Sequence, residues 1–384
     1  MRNIYRITLP FISISILLTA TLGVSYTGVP IVQKDNVLII INERLYTKIS
    51  RRLDRYIVDV EERFPVNIIL TTTSTTTAEE IRSLLQQEYD INHINGAILV
   101  GQIPFALWEQ GYGDNKGILS LFYEDLDGRF EDRDNNGFYD YHIFGENNGP
   151  EIWVCWMRPP RFLEEFYLNR FLDKTHLYYT SGIKIEDKAL VACHEDYDNN
   201  FYGPIGVVPI LEEICSKVEK DGEGKDLTIA RELWYKLSKN SYKIFDTWQH
   251  ANARYQAWDE GGFNSLQVFL LLRRGSLMTF IYGCHSADFW TAPGDNIFNI
   301  NIAVSYVFGS SIGQAASGTS WSYGTEYKYL IYQSMKNNSY LGEAWFNMES
   351  YVETQKFIEQ RYPNRDPHRE CAGNNLIGNP FLYT

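Results

Sequence analysis

Three short stretches of this sequence carry side chains suited to acyl transfer: His194-Glu195-Asp196, His250 and Gly283-Cys284-His285. A thiol attacks as thiolate, an imidazole can take its proton near neutral pH, and a carboxylate can hold that imidazole in the required tautomer. Cys284, His250 and Glu195 supply those three groups, and Asp196 is a neighbouring carboxylate that could face the imidazole in place of Glu195. Taken singly each is ordinary, because a cysteine after an apolar strand usually packs as a small hydrophobe. Their conjunction carries the reading. Gly283 permits a tight turn out of a strand, which would expose the next side chain. His285 points away from Cys284 if the chain is extended there, so it is not expected to be the base.

These residues need elements that bring them together. The runs Ala189–Cys193, Lys243–Trp248 and Met278–Tyr282 read as buried strands, and each ends at one of the reactive stretches. In open α/β sheets, functional groups gather at the carboxyl ends of strands. Ser311–Ala315 reads as a further strand, with helices expected over Ile210–Lys220, Leu266–Arg273, Ile302–Phe308 and Leu341–Gln360. Upstream, Val37–Ile41, Val66–Leu70 and Ala97–Val100 alternate with amphipathic Lys48–Glu62 and Thr77–Glu88, a β-α-β-α-β pattern that predicts a parallel sheet. Glu151–Trp156 and Phe162–Tyr179 add a strand and a helix. The expectation is an α/β fold of two adjacent subdomains with mainly parallel sheets, about residues 31–182 and 183–384.

The stretch Phe280-Ile281-Tyr282-Gly283-Cys284-His285-Ser286-Ala287-Asp288-Phe289 resembles the nucleophile strand of the gingipain-type cysteine peptidases, relatives of caspases and legumain. His250 lies 34 positions before Cys284 (284 − 250), similar to that family's separation. Ala97–Pro104, Asp125-Leu126-Asp127-Gly128, Pro150–Arg158 and the closing Asn375–Leu382 are similar to further family segments, in the same order. The resemblance implies a caspase-like second half and peptide-bond hydrolysis through a Cys284–His250 dyad, with protein or peptide substrates. It also implies an oxyanion site built from backbone amides near Ala251 and Cys284, and a substrate pocket near Ser320 and Trp321, with Asp196 and Asp198 near the place of an acidic pocket residue. This sequence departs from the family at Ala251, where glycine is usual, at Met157 before Arg158, and at Asn379. An inactive peptidase-like binding module is the alternative, and Ala251 is its main support.

No catalytic cofactor is expected. Asp132, Asp134, Asn136 and Asp140 stand around Gly137 like the first part of an EF-hand calcium loop, but Ile143 holds the place of the final bidentate Glu. The reading is either a structural Ca²⁺ site or an acidic solvated turn.

Bulk properties narrow the classes. The 384 residues carry 35 Lys and Arg against 48 Asp and Glu, a formal charge of -13, which disfavours a nucleic-acid partner. Arg2 and Arg6 followed by the apolar run Leu9–Val24 predict an export signal over residues 1–30, or an uncleaved anchor as the one membrane contact. The five cysteines, Cys155, Cys193, Cys215, Cys284 and Cys371, include no CxxC pair, so a zinc ribbon or dense disulfide framework is not expected.

Overall fold

In a computed structural model, the structure describes residues 34–109, 116–197, 204–220, 228–322, 324–352 and 372–384. The expected export segment, Cys371 and Asp198 lie outside the described residues.

Among the described residues, ten strands form one sheet. In chain order they are β1 (Asp35–Asn42), β2 (Val66–Thr73), β3 (Ile94–Val100), β4 (Trp153–Met157), β5 (Glu186–Cys193), β6 (Lys217–Glu219), β7 (Ser241–Trp248), β8 (Gly275–Tyr282), β9 (Ala315–Thr319) and β10 (Asn374–Gly378). Their spatial order is β6-β5-β7-β8-β9-β10-β4-β3-β1-β2. Every neighbouring pair is parallel except β9 with β10.

Strands buried on both faces read as continuous apolar runs, and Val37–Ile41 of β1 and all of β8 are buried accordingly. Helix Glu43–Glu61 follows β1 and turns Leu45, Ile49, Leu53, Tyr56 and Val60 inward at helical spacing. Its start is fixed by Asn42, whose side chain accepts the Arg44 N–H.

The two expected halves are thus two groups of strands in a single sheet, rather than two separate sheets. The junction is β10, which pairs antiparallel with β9 and parallel with β4. Two open edges, each with unpaired backbone groups, are thereby closed by one late strand. A second difference concerns residues 210–220: the helix ends at Ile214 and the chain turns into the short edge strand β6. The helix that begins at Leu341 is described as far as Val352.

Candidate active site

Register brings the reactive stretches to one row. Trp248, the last residue of β7, is paired with Cys193 at the end of β5 and with Tyr282 at the end of β8. The chain therefore leaves three adjacent strands side by side, into His194–Tyr197, Gln249–Ala251 and Gly283–His285. Just below, Trp248 and Tyr282 stack at 4.5 Å between ring centroids, and Tyr197 meets Tyr282 edge-on at 5.2 Å.

Beneath this aromatic layer lies a buried ion pair. Lys328 and Asp246 are fully buried, 2.9 Å apart, and Lys328 also donates to the Thr247 carbonyl at 3.0 Å and the Phe280 carbonyl at 3.4 Å. Trp248 Nε1 and the Tyr332 hydroxyl satisfy the same Asp246 carboxylate. One ammonium thus bridges the two strands that end at His250 and Cys284. Burial pushes the Lys328 pKa down, opposed by Asp246.

At the imidazole, His250 Nε2 lies 2.8 Å from Asp196 Oδ2, and Nδ1 lies 3.2 Å from the Tyr197 hydroxyl. The hydrogen bond from His250 holds the Asp196 carboxyl below its ordinary pKa. Burial, then the neighbouring Cys284 and Asp196, pushes the Tyr197 phenol up to about 12. Tyr197 therefore stays protonated at neutral pH and can donate to Nδ1, which leaves the ring proton on Nε2, facing Asp196. The carboxylate within hydrogen-bond distance of His250 is that of Asp196, the neighbour that the sequence offered in place of Glu195. Residues 195–197 form a 3₁₀ turn, in which successive side chains leave the backbone about 120° apart, and it is Asp196 that faces the ring. Glu195 is exposed, and its backbone N–H donates to Asp259 at 3.1 Å.

Cys284 is partly accessible, whereas Cys155, Cys193 and Cys215 are buried. Burial raises the pKa of the Cys155 thiol and pushes that of Cys215 up to about 11, so neither is a thiolate at neutral pH. After Cys284 the chain turns sharply: His285 adopts φ 54°, its N–H donates to the Trp321 carbonyl at 2.6 Å, and the Ala287 N–H donates to Thr319 at 2.8 Å. The buried Asp288 caps this turn, accepting from the Trp290 and Thr291 N–H groups, and lies 3.3 Å from His285 Nδ1.

Ala251 sits in the short strand His250–Asn252 and does not adopt a positive φ, so alanine at this position costs no backbone strain. Room for its methyl group comes from the neighbouring turn. A Cβ placed on Gly283 would lie 2.7 Å from the Ala251 Cβ and 2.9 Å from the Gln249 carbonyl oxygen. The residue before the thiol thus packs directly on the residue after the imidazole.

The side chains of Ser320 and Trp321, expected in a substrate pocket, are buried. Ser320 is buried and donates to the Ile118 carbonyl at 2.8 Å, while Trp321 is 1% exposed and stacks on Trp108 at 6.3 Å. Both side chains join the two halves of the fold, while the Trp321 and Thr319 carbonyls border the turn after Cys284. Asp196, also expected in the pocket, is committed to His250.

In the acidic loop, Asp132 accepts the Asn136 and Gly137 N–H groups, Asp134 accepts the Asn136 N–H, and Asp140 accepts the Arg133 N–H. The loop closes on its own hydrogen bonds. Among the described residues, Asp125, Asp127 and Glu151 form an acidic group whose ligand oxygens lie within 4.8 Å of one another. Sequence reasoning passed over Glu151 and Tyr197; each stands close in space to residues singled out, without a spacing that marks it.

No protein-family model matches the sequence, and no curated protein matches it. Among solved structures, the chain is similar to the Arg-specific cysteine proteinase gingipain R (RgpB), at 13% sequence identity and a TM-score of 0.62, over 92% of this chain and 78% of that one. At that identity the likeness is one of fold: a large, mainly parallel sheet with helices, shared with a caspase-like cysteine proteinase.

Proposed function

We propose that the chain is a cysteine peptidase with Cys284 as nucleophile and His250 as general base and acid. One observation carries the reading: a partly accessible thiol and a carboxylate-held imidazole leave adjacent strand ends, their flanking residues in contact. The shared fold with a cysteine proteinase supports it. With Asp196 on Nε2, Nδ1 is the nitrogen left to take the thiol proton, and Tyr197 must yield that position during turnover. The thiolate attacks the substrate carbonyl carbon, and backbone N–H groups near Ala251 and Cys284 receive the oxyanion. His250 then gives its proton to the leaving amine, and water activated by His250 releases the acid and frees the thiol. Arg2, Arg6 and the apolar run Leu9–Val24 support export.

A second reading, a peptide-binding module without turnover, rests on the Tyr197 hydroxyl occupying Nδ1. Tyr197→Phe separates the two: a peptidase gains or keeps turnover when the phenol is gone, whereas a binding module stays inactive. Cleavage of a diverse peptide library by wild type and not by Cys284→Ala establishes the enzyme; equal cleavage by both overturns it.

A further inference from the structure

At its Nε2, His250 belongs to a second constellation. The ligand atoms of His194, Asp196 and His250 all lie within 4.8 Å of one another. We propose that these three side chains form a binding site for a borderline divalent metal ion of the Zn²⁺ type, and that filling it disables His250 as a base. The binding half stands on geometry alone; the disabling half rests on the peptidase reading.

The donor set fits. Two imidazoles and one carboxylate around an open fourth position are a recurrent zinc arrangement, whereas Ca²⁺ and Mg²⁺ prefer oxygen-only sets. Asp196 Oδ2 lies 2.8 Å from His250 Nε2 and 3.5 Å from His194 Nδ1. Bonds of 2.0–2.2 Å to a tetrahedral ion put ligand atoms roughly 3.3 Å apart, so small movements of partly exposed side chains suffice.

The opposite nitrogen of each ring supplies the independent observation. Metal-binding histidines are usually held by an oxygen on the nitrogen away from the ion, which fixes the tautomer and the ring plane. His194 Nε2 is 3.2 Å from Asp259 Oδ1, and His250 Nδ1 is 3.2 Å from the Tyr197 hydroxyl. Asp259 is itself fixed by the Glu195 N–H. His194 Nδ1 accepts the Asp196 N–H at 3.2 Å, so it carries a lone pair rather than a proton, and the ion would take over that long contact.

The consequence for chemistry is direct. An ion on Nε2 displaces its proton, and a neutral imidazole so bound keeps its remaining proton on Nδ1, the nitrogen that must accept the proton of Cys284. The Nε2 proton moves to Nδ1, no redox change occurs, and the base is blocked until the ion leaves.

The test is calorimetric titration of Zn²⁺ into full-length Cys284→Ala, which removes the thiol as a ligand, with Co²⁺ visible spectra to read coordination. One saturable site is expected, weakened about tenfold by Asp259→Asn and further by His194→Ala. His194→Gln, checked for folding by circular dichroism, guards against a misfolded alanine variant. Absence of saturable binding in Cys284→Ala, or equal affinity in the His194 variants, overturns the site. An inactive wild type that still binds Zn²⁺ through His194 overturns the peptidase reading and keeps the site. An active wild type whose inhibition by Zn²⁺ is unchanged in His194→Gln overturns the blocking of His250.

Discussion

Replacing Gly283 by alanine tests how the imidazole and thiol segments are fitted together. The added Cβ would stand 2.7 Å from the Ala251 Cβ and 2.9 Å from the Gln249 carbonyl, where ordinary contact begins at about 3.4 Å. Neither obstacle is the tip of a flexible side chain, so strand ends must move apart, at a cost of about 1–3 kcal/mol for overpacking. Gly283→Ala is expected to lose that stability and to slow alkylation of Cys284. The double variant Gly283→Ala/Ala251→Gly removes the closer contact and leaves the carbonyl, so about half of the loss should return, a coupling of about 1 kcal/mol. Urea unfolding of wild type, both single variants and the double variant measures the coupling. Strict additivity would refute the claim that Gly283 makes room for Ala251.

Three further outcomes follow from the geometry. Asp196→Asn should lower kcat/KM by about 10²-fold or more, as expected when a base loses its orienting partner, while Glu195→Gln should act as a surface substitution with less than about a threefold effect; the reverse ranking would restore Glu195. Glu219, buried against Lys236, has its pKa held down at about 2 by that partner and by Lys217, against the burial that opposes it. A depressed carboxyl stabilises the fold above its unfolded pKa and loses this as pH falls through the folded value, so up to about 3 kcal/mol, reduced by solvent screening, should disappear between about pH 4.5 and 2, and Glu219→Gln should flatten that part of the stability curve. If calcium binds the acidic region, added Ca²⁺ should raise the Tm of chelated protein by mass action; loss of the response in Asp127→Asn would place the ion with Asp125 and Glu151, and loss in Asp134→Ala would place it in the 132–140 loop.

What the sequence made legible was local. The apolar runs of β5, β7 and β8, each ending in a reactive stretch, predict both the strands and their convergence, because period and burial are written in consecutive residues. The seam made by β10 was not legible as a strand pairing, since nothing in Asn374–Gly378 states that its partners are β9 and β4. Glu195 and Asp196 are equivalent in sequence, and only the pitch of a 3₁₀ turn chooses between them. Ser320 and Trp321 follow a strand in the manner of a pocket wall, yet the first half of the chain covers them and takes their side chains into the core. Tyr197 carries no spacing signal, because its contacts with His250 and Tyr282 come from two other strands.

The central claim is that Cys284 is a nucleophile activated by His250, and reactive-thiol profiling tests it most directly. Pulse labelling of the native chain with a limiting thiol-reactive probe, followed by peptide mapping, should find Cys284 modified much faster than the buried Cys155, Cys193 and Cys215. That preference should fall sharply in His250→Ala and persist in Glu195→Gln. Slow, uniform labelling of all accessible thiols in wild type, or a Cys284 rate unchanged by His250→Ala, would contradict the account.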